Sequence, residues 1–589
     1  MRRRHAVGLA LLLLGTVVLR LPGAREPLER DLTTYAYVAH EMLSGRTLYR
    51  DVWDHKPPAV YLSFAAAEAV AGYRQLSVTL LGIVTAAASL LVLFDTLRRT
   101  AGPRAALLGG TLWALAANSV ALQANQPNVE VFLNLCTLAA TWAFVRALEG
   151  SRGWHLVAGA ALALATTYKT IAAFAVALLA GWAALAAPSG KGLAGRARAA
   201  LAVALPTPVV WLATAAAFLA LGAFVDLWDA VIVFNRDYAG SVLANLWGFL
   251  TPAAFPRHKA LADVAVLVPC SLLWALCGRA RAVLPGSLVA ALAVATLLQV
   301  AAPGRLYAHY YQLALPLLCL LTALLLEDVL SACRSARRPS ARWLAGGLVG
   351  GVLLALALPQ LRYARMHPDE ISRRKYGDTF VEARAVAEEV RALTAPGESV
   401  FEWGQESGIY SYSQRRAATA MVSIAPLFVG PPERRDRRWE RLVEEVVTSG
   451  PALFVYNARF ARGERGFFRP YLDHCYDLAT TAGSYTLYRR RAPTPPACAE
   501  LFPRHRFRPE EPLSLAVSPS SPCRVLAGRV VTRAVTMPGE RCVVAGPMLR
   551  VGSGGELHLT ATETIVLRNG FSVTRGGALS LGHRPTTAP

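Results

Sequence analysis

The chain has 589 residues, 54% of them hydrophobic, with a mean hydropathy of +0.36 and a net charge of +22. So apolar a chain of this length excludes an ordinary soluble enzyme, and several Ala/Leu/Val runs before residue 360 reach the roughly 20 residues needed to cross a bilayer. The charge does not indicate nucleic acid: no nucleic-acid motif accompanies it, and much of the Arg lies in short connections between apolar runs, where it orients a membrane protein and meets anionic lipid.

The first apolar run, Ala6 to Leu21, follows Arg2, Arg3 and Arg4. No small-x-small cleavage site is obvious and charged residues follow at once, so the run reads as an uncleaved anchor. Further spans are expected near 75–97, 105–121, 129–146, 155–168, 170–187, 201–222, 260–277, 284–302, 310–327 and 343–360, about eleven in all. With the N-terminus in the cytoplasm, the connections holding Arg98/Arg99/Arg104, Arg146/Arg152, Lys191/Arg196/Arg198, Arg279/Arg281 and Arg334/Arg337/Arg338/Arg342 all lie inside. That is the distribution the positive-inside rule requires. An odd number of spans then puts the C-terminal region outside. Lys56, Lys169, Arg236, Arg257, Lys259 and Arg305 oppose the bias from the external side. Each is a candidate for binding an anion, either a substrate or a lipid headgroup.

The loop after the first span is dense in charged and aromatic residues. Tyr35 to Leu43 is expected to form a short interfacial helix ended by Gly45, and Pro57-Pro58 to start a second over Ala59 to Ala71. Together they would bracket a cavity. Asp31 stands at the external end of the first span, where an accessible, ionised carboxylate can take a proton from a hydroxyl nucleophile. Its alternative role is to cap a helix beginning near Leu32.

Asn125-Gln126-Pro127-Asn128-Val129-Glu130 opens the fourth span externally, and Glu130 reads either as a substrate contact or as an acid favoured by the helix dipole. Lys169 joins two spans on the same side, and snorkelling to a headgroup is its leading reading. Arg305, His309 and Tyr310 lie in Gly304-Arg305-Leu306-Tyr307-Ala308-His309-Tyr310-Tyr311, at the start of another span. Arg and His at a helix N-terminus make an anion site, and the tyrosines also suit an interfacial aromatic belt. His55, His258 and His309 are too scattered in sequence to suggest a metal site, so no metal and no cofactor are expected.

Residues 1–360 therefore form a membrane domain, 361–491 an α/β domain and 492–589 a linker followed by a small β-rich unit. In the second, Phe380 to Leu393 has an amphipathic helical pattern, while Ser399–Gly404, Pro451–Tyr456 and Tyr485–Arg490 read as strands. In the third, Glu556–Ala561, Thr564–Leu567, Asn569–Val573 and Ala578–Leu581 suggest a short β-solenoid. The stretch Ile565 to Phe571 resembles an Ile-x-Leu-x-x-Gly-Phe repeat found at the ends of many bacterial secreted proteins. Cys475, Cys498, Cys523 and Cys542 all fall outside, where two disulfides with three possible pairings can form.

Asp31, Tyr35-Ala36-Tyr37, Gly45, Tyr49-Arg50-Asp51 and Asp54-His55-Lys56-Pro57-Pro58 resemble the first external loop of the GT-C glycosyltransferases. The closest branch is the one with the protein O-mannosyltransferases and the lipid A aminoarabinose transferase. The resemblance covers residues 1 to 360 in layout. It implies a polytopic α-helical fold and an inverting transfer of sugar from a polyprenyl phosphate to a protein, lipid or glycan acceptor. It also implies that Asp31 is the base, that Lys56 lies near the lipid phosphate with Arg305, His309 and Tyr310, and that Glu130 contacts substrate. Leu32 departs from the pattern, since many relatives carry an acidic residue or Gly there. The location implied is a bacterial plasma (inner) membrane, with the C-terminal domains extracytoplasmic. A flippase of lipid-linked saccharides is the first rival, and predicts broken helices and an internal repeat of spans; the sequence shows no convincing repeat. A membrane scaffold is the second, and would tolerate loss of Asp31.

Overall fold

The computed structural model describes residues 3–150, 153–187, 192–278, 284–335, 339–460, 465–495, 498 and strand segments between 523 and 583. They form two compact units, Met1–Val381 and Glu382–Pro589.

The first unit is helical. It begins with α1 (Arg3–Arg20), α2 (Arg30–Leu43), α3 (Ala59–Ala71), α4 (Gln75–Ala101), α5 (Pro103–Ala116) and α6 (Val129–Leu148). α1 follows the first apolar run, and α2 and α3 are the two short helices of the first loop; α2 starts at Arg30, a turn earlier than expected, so it includes Asp31. Gly102, at φ +89°, lets the chain reverse between α4 and α5, and Pro103 starts the new helix where its missing N–H costs nothing. Small residues let these helices approach closely. A Cβ on Gly109 of α5 would fall 2.0 Å from a Leu97 methyl and 3.3 Å from the Ala323 methyl.

Among the described residues, six helices are long and apolar enough to cross a membrane: Arg4–Arg25, Gln75–Ala101, Val129–Leu148, Gly192–Ala220, Ala308–Ser335 and Pro339–Tyr363. The span expected near 260–277 is not a single straight helix. Pro252–Val264 and Leu267–Cys277 are instead bent by 88° at their junction. The reason is Asp263, whose carboxylate accepts hydrogen bonds from the Ser119 hydroxyl (3.0 Å) and the Ala121 N–H (3.1 Å). A carboxylate satisfied in this way stays with the 117–128 loop and does not enter an apolar span.

The second unit holds a five-stranded sheet of β1 (Ser399–Trp403), β2 (Arg416–Ala417), β3 (Leu453–Asn457), β4 (Tyr476–Ala482) and β5 (Tyr485–Arg490), in the order β2-β1-β3-β5-β4. β1 is parallel to β2 and β3, and β5 is antiparallel to β3 and β4. Leu453–Asn457 is buried throughout, as the apolar run Leu453–Tyr456 requires. Phe401, Trp403, Phe454 and Phe468 pack together at ring separations of 5.0–6.5 Å. Cys475 is bonded to Cys498, which selects one pairing from those left open.

The tail adds β6 (Cys523–Leu526), β7 (Val530–Val531), β8 (Ala534–Pro538), β9 (Cys542–Ala545), β10 (Arg550–Val551), β11 (Glu556–Ala561), β12 (Thr564–Leu567), β13 (Ser572–Val573) and β14 (Ala578–His583). They pair only in parallel, as three sheets ordered β12-β9-β6, β13-β10-β7 and β14-β11-β8. Backbone partners recur 19 to 22 residues apart (Cys523, Cys542, Thr564; Ala534, Glu556, Ala578), which is the register of a three-faced solenoid coil. Val551, Leu557 and Leu559 are fully buried. The turn expected within Ile565 to Phe571 falls partly outside the described residues.

Candidate active site

The site is built on the two short helices of the first loop. Asp31 occupies the first turn of α2, so it does not cap the helix; Glu29 precedes that helix and makes no side-chain cap. The alternative capping role is therefore not realised, and the Asp31 side chain is left for other partners. Burial alone would raise its carboxyl, but the charges of Lys56 and His309 outweigh that and hold it below the ordinary Asp value. Asp54 pushes the other way and His55 adds to the lowering.

Between α2 and α3 the chain is held tightly. Tyr49 adopts φ +70°, uncommon for a residue with a Cβ, and is fully buried; its hydroxyl donates to the Lys56 carbonyl at 2.7 Å. The Tyr61 hydroxyl donates to Asp54 Oδ2 (2.6 Å), and Asp54 Oδ1 lies 3.0 Å from His55 Nδ1. His55 Nε2 lies 3.0 Å from Lys56 Nζ. The ammonium has no lone pair to give, so it donates to Nε2, and the proton of a neutral imidazole then sits on Nδ1 facing Asp54. Burial and the neighbouring Lys56 lower the His55 pKa, which keeps the ring neutral as this arrangement needs. Burial opposes the Lys56 charge, but Asp31 and Asp54 raise its pKa above the ordinary Lys value. The relay Tyr61–Asp54–His55–Lys56 thus fixes a charged ammonium beside Asp31. His55→Phe, which keeps the packing on Phe234 but removes both ring nitrogens, is expected to raise the KM for an anionic donor about tenfold, the equivalent of about 1.4 kcal/mol. Steady-state kinetics at saturating acceptor would read that rise, and an unchanged KM would reject the relay.

The other candidates come from the 117–130 loop and from the helix beginning at Ala308. Gln123, a second non-glycine residue at positive φ (+58°), places its side-chain Oε1 3.0 Å from His309 Nδ1. Glu130 and Lys169 are both buried and meet at 2.6 Å, and the Lys169 ammonium lies 3.6 Å from the centre of the Tyr310 ring. Lys169 therefore does not snorkel to a headgroup. It neutralises Glu130, and Tyr310 forms the lid of that pair.

Arg305 is exposed, lies 4.2 Å over the Tyr238 ring and donates to the Tyr238 carbonyl at 2.9 Å. The Tyr238 ring is in turn 5.5 Å from His55. Asp31, Lys56 and His309 are thus brought together, Glu130 and Tyr310 adjoin them through His309 and Lys56, and Arg305 sits one aromatic ring further out. Sequence reasoning gave no role to Gln123 and Tyr238, whose partners His309 and His55 lie far away in the chain, and none to Asp54, which acts only through its neighbours His55 and Tyr61. Among the described residues no group of three or more His, Cys, Asp or Glu side chains could hold a metal.

The fold and one segment of the chain are similar to those of known membrane glycosyltransferases. Residues 55–222 match the family model described as dolichyl-phosphate-mannose-protein mannosyltransferase. The fold is similar to that of ArnT from Cupriavidus metallidurans bound to undecaprenyl phosphate (15% identity, TM-score 0.57, covering 83% of this chain and 98% of that one). The apo state of the same protein gives 15% identity and a TM-score of 0.55 over the same shares. The Archaeoglobus fulgidus oligosaccharyltransferase tethered with an acceptor peptide gives 12% identity and a TM-score of 0.46, over 84% of this chain and 75% of that one. No curated protein matches the chain.

Proposed function

We propose that the protein transfers a sugar from a polyprenyl phosphate to an acceptor hydroxyl on a protein, lipid or glycan at the external membrane face, with inversion. The observation that carries this reading is the meeting of the Asp31 carboxylate with the Lys56 ammonium and the His309 imidazole. Asp31 takes the proton of the acceptor hydroxyl as its oxygen attacks the anomeric carbon. The bond from that carbon to the phosphate oxygen breaks on the opposite side, and the charge that develops on the phosphate is met by Lys56 and His309. Tyr310 and Arg305 line the approach, and Glu130, held by Lys169, faces the sugar.

The six long helices, the bent pair and the four shorter helices Pro103–Ala116, Trp154–Tyr168, Thr170–Ala186 and Gly286–Ala301 would give eleven crossings. With basic residues on the even connections, the N-terminus is cytoplasmic and the second unit extracytoplasmic. The membrane is the bacterial plasma membrane. The reaction needs no resident metal, because side-chain cations serve the phosphate.

Reconstitution in lipid with a panel of radiolabelled polyprenyl-phosphate sugars tests the reading. Turnover by at least one donor, with the product of inverted anomeric configuration and the rate unchanged by EDTA, is expected. A retained configuration would reject direct displacement, and labelled lipid that crosses the bilayer without sugar transfer would make the protein a flippase.

A further inference from the structure

The segment before Asp31 and the segment before α6 carry matching patterns, Glu26-Pro27-Leu28-Glu29 and Asn125-Gln126-Pro127-Asn128. They close on each other residue by residue. Asn125 Nδ2 donates to Glu26 Oε2 at 2.7 Å, and Asn128 Nδ2 donates to Glu29 Oε1 at 2.7 Å. The same Asn128 nitrogen lies 3.5 Å from Asp31 Oδ2, and the Tyr35 hydroxyl is 3.4 Å from Asn128 Oδ1. Asn128 Oδ1 also accepts the Val129 N–H at 2.7 Å, which fixes the amide's orientation at the start of α6. The far end of this double clasp is closed from beyond the last long helix. Lys375, in the helix Pro368–Tyr376, lies 2.5 Å from Glu26 Oε1 and donates to Asn125 Oδ1 at 3.2 Å. The Glu26 side chain is 0% exposed and that of Lys375 3%.

We propose that Asn128 and Lys375 are positioning residues of the transfer reaction, holding Asp31 in place through this clasp. The inference rests on the reading of Asp31 as the base. Asn128 orients the carboxylate directly. Lys375 acts at one remove: it keeps Glu26 and Asn125 in register, and the Pro-linked spacing passes that register to Glu29 and Asn128. Burial and the Asp31 charge raise the Glu29 pKa well above the ordinary value. The other groups that face Asp31 are Lys56, Asp54 and His55 from the second half of the loop, His309, Tyr310, Tyr35 and Tyr376.

The test uses the full-length protein in lipid, with kcat and donor KM measured across pH for four variants beside wild type: Asp31→Asn, Asn128→Ala, Lys375→Arg and the pair Glu26→Gln/Lys375→Met. The pair removes both buried charges together, so no uncompensated ion threatens folding. Asn128→Ala is expected to lower kcat about a hundredfold, the scale of a misplaced catalytic group. Donor KM should stay within about twofold, since Lys56 and His309 are untouched. The acid limb of kcat should also move to higher pH, because an N–H donor to the ionised base is lost. The Glu26→Gln/Lys375→Met pair is expected to lower kcat selectively, and Lys375→Arg to restore most of it. Wild-type kcat and an unmoved acid limb in Asn128→Ala and in the pair, with Asp31→Asn inactive, would overturn the clasp and leave the base standing. Activity in Asp31→Asn would remove both.

Discussion

Asp31→Asn is expected to cut turnover about a hundred- to ten-thousandfold, the range of general-base catalysis. The amide has nearly the carboxylate's shape but cannot accept the acceptor's proton. Donor KM should not rise, because the variant removes an anion from beside Lys56, whose ammonium is then the freer to meet phosphate. The pH dependence follows from the sign of the Asp31 shift. Its carboxyl is held below the ordinary value despite burial, chiefly by Lys56 and His309. The active, ionised form therefore persists as pH falls and is lost only on passing through that lowered value. A wild-type kcat profile that is flat through the neutral range and declines only in strong acid is the expected result. A limb centred well above pH 5 would assign the essential base to another group. Full activity of a folded Asp31→Asn protein would remove Asp31 from the chemistry.

The second large effect concerns stability. Lys169→Met leaves the Glu130 carboxylate, 1% exposed, without its 2.6 Å partner and strips the cation from the Tyr310 ring. Breaking a buried ion pair from one side costs about 3–5 kcal/mol. The double variant Glu130→Gln/Lys169→Met leaves no uncompensated charge and should lose much less. Denaturation of both variants and wild type in the same detergent would measure the difference. If the single and double variants unfolded together, the pair would be making no net contribution.

Part of this site is legible in the sequence because it is local. Asp31 and Lys56-Pro57-Pro58 stand out as charges set against apolar runs within one loop. His309 and Tyr310 stand out as polar and aromatic residues at the mouth of a helix. The strands of the second unit are legible for the same reason, since a run such as Leu453–Tyr456 is apolar on both faces. What stayed hidden depends on partners distant in the chain. Lys169 reads as a headgroup contact until Glu130, 39 positions earlier, is found against it. Asn128 caps α6, and its donor side serves Glu29 and Asp31 some hundred positions away, which nothing local in the sequence announces. The bend at 264–267 was hidden because Asp263 is satisfied by a loop that sequence alone does not bring near.

The location of Lys375 also bears on the order of synthesis. Chains grow from the N-terminus, and their early segments organise first. Glu26 leaves the ribosome with the first helix, whereas the ammonium that pairs with it follows only after the helix ending at Tyr363. A nascent chain that has inserted all of its long apolar helices still lacks the counter-ion for the buried Glu26 carboxylate. Truncation between residues 363 and 375 should therefore yield a fully inserted but catalytically slack protein, so that competence for transfer is acquired at the last membrane-proximal helix and not at the first.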